Sequence, residues 1–134
     1  MKTRKLIALV VIVMMLSALA CSSSFSTASI ESAVLSADEE GTLETTVFAP
    51  EDTFYCIVTL ANAPDDTTLK AVWTAVDVEG EEPNTLIDET ETTSDGNNII
   101  TFNLTIDSLW PSGTYKVDIY LNGTLDRTLD FEVQ

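Results

Sequence analysis

The chain contains no histidine, five glycines, four prolines, two cysteines and six Lys or Arg against 22 Asp or Glu, for a net charge of −16. Without imidazole there is no histidine general base, no Ser-His-Asp triad and no histidine-based zinc site. The few glycines are scattered, so no Gly-rich phosphate loop is present. Two cysteines allow at most one intrachain disulfide. The shortage of cations opposes binding to nucleic acid or to anionic headgroups. Beyond residue 21 no stretch repeats its apolar residues at a helical period.

The cations that exist are unevenly placed. Lys2, Arg4 and Lys5 lie at the start and precede an apolar run from Leu6 to Ala20. As a helix that run would rise roughly 22 Å, short of the ~30 Å hydrocarbon core, which suits a signal-peptide core better than a membrane span. Ala18-Leu19-Ala20 presents small residues at the cleavage positions, and Cys21 follows directly. Cleavage after residue 20 leaves Lys70, Lys116 and Arg127 against all 22 acids, a net charge of −19.

Residues 22–29 read as a polar tether, which extended spans at most about 28 Å. Residues 30–134 read as one domain made of short strands. Phe54, Cys56, Val58 and Leu60 alternate with Tyr55, Ile57 and Thr59. Leu69, Ala71, Trp73 and Ala75 form a second inward face. Ile100, Phe102, Leu104 and Ile106 form a third. Tyr115, Val117 and Ile119 form a fourth, and Leu129, Phe131 and Val133 a fifth. Residues 30–35 give a first strand, and 42–48 either a second short strand or a continuation of it. Residues 85–93 give an edge strand whose charges discourage pairing. Trp110-Pro111-Ser112-Gly113 fits a tight corner, and Asn122-Gly123 suits the positive φ angles of a type I′ hairpin. About seven antiparallel strands at this spacing predict an all-β sandwich.

Three readings of the acidity stay open: a solvated acidic surface, a saline habitat, and calcium. The oxygen-rich loops carrying Asp65, Asp66 and Asp95 are the candidates for calcium, although no segment has EF-hand spacing. No other cofactor is implied. Tyr120 alternates away from the core face. Trp110 either caps the core or stands exposed. Where exposed, the two are candidate contacts for a protein or glycan partner.

Two resemblances add to this. Ala18 to Cys21 resembles the lipobox of bacterial lipoproteins, with Ala18 standing where Leu is commonest. It implies acylation of Cys21 and a membrane anchor in the cell envelope, on the outer leaflet of the cytoplasmic membrane or on the outer membrane. The order Cys56, Trp73, then Leu104 through Pro111 and Gly113 to Tyr115 resembles the immunoglobulin-like fold. That resemblance makes Tyr115 the tyrosine-corner residue. It puts Val117 where the second framework cysteine would stand, so the intersheet disulfide is absent and Cys56 is a buried, inert thiol against Trp73 and Val117. The run from Trp110 to Val133 is also similar to the ending of small envelope lipoproteins with such a domain. The expected function is a membrane-anchored, non-catalytic interaction or accessory module with no catalytic residues. The alternatives are a calcium-stabilised adhesion or carbohydrate-binding module and, more remotely, a carboxylate-based hydrolase.

Overall fold

The alternation of apolar and polar residues along the chain is realised as eight strands in a computed structural model that describes residues 27–134. The segment expected to be a signal peptide, residues 1–20, and Cys21 lie outside the described residues. The strands are β1 (Ser29–Ser36), β2 (Val47–Phe48), β3 (Phe54–Ala61), β4 (Thr68–Val78), β5 (Thr85–Thr93), β6 (Ile99–Leu104), β7 (Gly113–Leu121) and β8 (Thr124–Val133). They form a three-stranded sheet, β1-β3-β6, and a five-stranded sheet, β2-β8-β7-β4-β5. All neighbours are antiparallel except β2 and β8, which run parallel. The fold is an immunoglobulin-like β-sandwich.

Period-two alternation sends one side of each strand into the space between the sheets. Phe54, Cys56, Val58 and Leu60 meet Leu69, Ala71, Trp73 and Ala75, with Val117 and Ile119 beside them, all buried. Small alanines flank Trp73 on its own face and leave room for the indole. One end of the core is almost wholly aromatic. Phe54 stacks on Trp110 at 4.4 Å between ring centres and meets Phe48 and Phe131 edge-on, each at 4.8 Å. Tyr115 stacks on Phe131 at 5.5 Å.

The expected turns carry the backbone angles their residues suit. Asn122 and Gly123 have φ of 49° and 82°, as a type I′ hairpin requires, and Asp95-Gly96 repeats the pattern at 49° and 82°. At the corner before β7, the Tyr115 hydroxyl donates to the Pro111 carbonyl at 2.6 Å.

The eighth strand comes from splitting the first. β1 pairs with β3, while β2 crosses to the other sheet and pairs with β8. Residues 42–46 do not extend β2 because they turn back on β1: Glu44 bridges Ser36, the Ala37 amide donates to the Leu43 carbonyl at 3.0 Å and the Thr45 amide to the Leu35 carbonyl at 3.1 Å, and Asp38 ties the turn between them. The Leu43 amide donates to Asp38 at 3.0 Å, and the Ser36 and Thr42 hydroxyls donate to the same carboxylate. Those hydroxyls, Ser36 first, hold its pKa down at about 2. Such side-chain bonds offer the backbone an alternative to a ladder.

Three placements differ from the sequence reading. β1 starts at Ser29, one residue before the expected first strand. β6 ends at Leu104, and Ile106 is left exposed as the chain leaves the sheet for the corner. Leu129 is half-buried, near the margin of the core.

Candidate functional site

The structure brings the residues singled out from the sequence to three different places. Cys56, Trp73, Tyr115 and Val117 are core residues. Trp73 faces Val117 directly across β4 and β7. Burial pushes the Cys56 thiol up to about 12, so at neutral pH it is a thiol and not a nucleophile. Burial, and after it the nearby Glu81 carboxylate, push the Tyr115 phenol up to about 12.

Asp65, Asp66 and Asp95 lie at the end of the sandwich where β1 begins. The β3–β4 and β5–β6 loops do meet there, but through backbone. The Asp95 amide donates to the Asp65 carbonyl at 3.0 Å, and the Ser94 amide to the Thr67 carbonyl at 2.8 Å. Among the described residues no three acidic or cysteine side chains converge as a metal site would need.

The binding candidates also separate. Trp110 is buried, which corrects the option of an exposed aromatic at the corner. Its amide donates to the Pro50 carbonyl at 2.8 Å and its indole N–H to the Asp52 carbonyl at 2.9 Å. Tyr120 is half-buried and lies under the Lys70 ammonium, which stands 4.5 Å from the ring centre. The described cations are each engaged: Lys70 with Glu89 at 3.9 Å, Lys116 with Asp118 at 3.5 Å, and Arg127 with Asp126 at 2.7 Å. Arg127 also donates to the Ile30 carbonyl at 3.0 Å and so links β8 to β1 across the gap between the sheets.

Sequence reasoning missed the feature with the clearest character of a binding site. A cleft of about 310 Å³ opens at the end opposite the start of β1, between β5 and the corner that follows β6. Its walls include Leu86, Ile87, Ile106, Leu109, Trp110 and Tyr115. Leu109 is 66% exposed, Leu86 58% and Ile106 36%. Glu81 is the one charged side chain lining it. A wider groove of about 610 Å³ runs between β1 and β8; its lining mixes Ala33, Val34, Leu35 and Leu129 with three Thr, Glu44 and Asp130, and it exposes no large apolar side chain. The signal for the cleft was present but weak: Leu86 is a large apolar residue within an acidic edge strand, and Leu109 a leucine within a polar turn.

No protein-family profile matches the sequence, and no curated protein matches it. Solved structures are similar in fold. An immunoglobulin-like protein from Pseudomonas aeruginosa matches with a TM-score of 0.54 at 15% identity, over 84% of this chain and 100% of that one. A β-glucosidase involved in saponin metabolism from intestinal bacteria matches with a TM-score of 0.54 at 14% identity, over 84% of this chain and 17% of the enzyme. The alkylpurine DNA glycosylase AlkC of Pseudomonas fluorescens matches with a TM-score of 0.51 at 14% identity, over 80% of this chain and 30% of the enzyme. This chain thus spans less than a third of either enzyme. At such identities the similarity establishes the immunoglobulin-like fold and nothing of activity.

Proposed function

We propose that the protein is a non-catalytic accessory module, held at the bacterial cell envelope by acylation of Cys21, that acts by binding another protein. The observation behind it is the contrast between its two kinds of site. The Cys56 thiol and the Tyr115 phenol are buried and held in their neutral forms, whereas the exposed cleft at Leu86 and Leu109 is apolar. An immunoglobulin-like neighbour matched over its full length favours a self-sufficient module. The partly matched enzymes carry the same fold as a fraction of their chains, which suits an accessory role too. The calcium-dependent alternative has less behind it, since Asp65 and Asp95 meet through backbone and no three acidic side chains group together among the described residues.

The anchor rests on Cys21 standing directly after Ala18-Leu19-Ala20. Two or three acyl chains hold a protein at a membrane stably, each buried CH₂ contributing about 0.8 kcal/mol. β1 leaves the tether at the end carrying Asp65, Asp66 and Asp95, so those carboxylates would face the bilayer and repel anionic headgroups. The cleft would point outward.

Intact-mass spectrometry of the protein from its native membrane, with Cys21→Ser as control, tests the anchor. A chain starting at Cys21 with added acyl mass, lost in the control, is the expected result. An unmodified mass would sink the anchor and make Cys21 a free thiol.

A further inference from the structure

The cleft beside β5 combines apolar walls, acidic surroundings and an unpaired sheet edge. β5 ends the five-stranded sheet and β6 ends the three-stranded one, so the same side of the sandwich is left open in both. The exposed Leu86, Ile106 and Leu109 lie in that opening. No basic residue lines the cleft. Glu81 is in its wall, Asp107 follows Ile106, and Asp88 and Glu91 are exposed on β5, with Lys70 near Glu89 the one cation at that edge.

We propose that this cleft takes an extended polypeptide segment of a partner protein in which apolar residues alternate with Lys or Arg. Laid along β5, such a segment would pair its backbone with the free edge of that strand. It would place alternate apolar side chains against Leu86 and Leu109 and its cations on the opposite face, beside Glu89 and Glu91. Charge complementarity selects this occupant. An acidic edge rejects a second copy of itself and other acidic strands, and is matched by a basic one. The inference rests on the interaction-module reading but not on the lipid anchor.

A ten-residue peptide alternating Leu and Lys, titrated into the isotopically labelled domain, tests it by amide chemical shifts. Saturable binding is expected, with shifts concentrated in β5 and residues 106–110. A Ser-Lys peptide of equal charge should bind at least tenfold more weakly. Leu86→Ser with Leu109→Ser should weaken the Leu-Lys peptide about tenfold at unchanged protein charge. Both side chains are exposed, so the fold should hold, and Glu81→Lys gives a second variant if it does not. Equal affinity for the two peptides, or shifts centred on Asp65 and Asp95, would overturn the inference in favour of charge alone. Retention of an envelope protein by the immobilised doubly substituted domain would overturn the cleft while leaving the accessory-module reading standing.

Discussion

Replacing Tyr115 by Phe removes one oxygen and leaves the ring. The hydroxyl donates to the Pro111 carbonyl at 2.6 Å, while the ring is buried against Phe131 at 5.5 Å, Phe54 at 5.8 Å and Trp110 at 6.0 Å. Those aromatic contacts survive in phenylalanine, so the loss is that of one hydrogen bond between neutral groups, about 1 kcal/mol net. For a domain of this size that lowers the melting temperature on the order of 4–8 °C. Urea unfolding at pH 7, followed by tryptophan fluorescence, should show a lower midpoint with an unchanged slope. The same variant carries a pH signature. The folded phenol titrates near 12, above its ordinary value of 10. Between those values the folded state holds a proton that the unfolded state has released. The contribution is therefore complete below pH 10 and is lost as pH rises towards 12. Phenylalanine cannot ionise, so the gap between wild type and variant should narrow between pH 10 and 11.5. A gap at pH 7 below about 0.3 kcal/mol, or one that widens with pH, would refute the role given to the corner bond.

Three other predictions follow from the core. Trp73→Ala should cost roughly 3–5 kcal/mol in urea unfolding, near the limit for a small domain; Trp73→Phe should cost clearly less, since the buried indole N–H has no hydrogen-bond partner to lose. Gly113→Ala should cost about 3 kcal/mol or leave the protein insoluble, because Gly113 has φ of 150° and an added Cβ would come within 2.3 Å of the Asp77 carbonyl oxygen. Cys56 should resist iodoacetamide in the folded protein at pH 8 and react once it unfolds; its pKa, raised by burial from 9.0 to about 12, gives stability that is complete below pH 9 and lost as pH rises towards 12, a loss that Cys56→Ala should remove.

The parts of this fold legible in the sequence are those written in local pattern. Inward faces at Phe54–Leu60, Leu69–Ala75 and Tyr115–Ile119 need only period-two alternation. Asn122-Gly123 needs only two residues with the right φ preference. Trp110 shows where local pattern runs out. Its burial depends on Pro50 and Asp52, whose carbonyls accept from its amide and indole, 58 residues from Asp52 along the chain. From its neighbours Leu109 and Pro111 alone, a capping and an exposed tryptophan look the same. The loop after β1 was opaque for a related reason, since TLETTVF alternates as one strand should, yet Glu44 bridges back to Ser36 of β1 while Val47 and Phe48 pair with β8. The cleft was harder still, because its walls come from β4, β5 and the β6–β7 corner, and only the sheet order makes them neighbours.

Overall acidity also concealed where the charge goes. In the three-stranded sheet, Val34, Ile57 and Thr101 share one row of the outward face, and Tyr55 and Asn103 the next, all uncharged. The loop after β1 lies over part of that face: a Cβ on Gly41 would come within 2.8 Å of the Ile57 side chain. A carboxylate at position 57 would be desolvated beneath the loop, a cost that keeps charge away from there. The outward face of the five-stranded sheet has no such cover and carries Lys70, Lys116, Asp118, Asp130 and Glu132. Charge thus follows exposure, and exposed large side chains without charge are the exception to explain. Leu43, Val47, Ile99 and Leu125 lie outside the cleft, while Leu86, Ile106 and Leu109 gather in one opening with carboxylates around them. An apolar cluster left in water within so acidic a chain loses the hydrophobic stabilisation that burial would supply, at roughly 25 cal/mol for each Å². A partner that covers it would recover that stabilisation, and the surrounding carboxylates restrict which partners can do so.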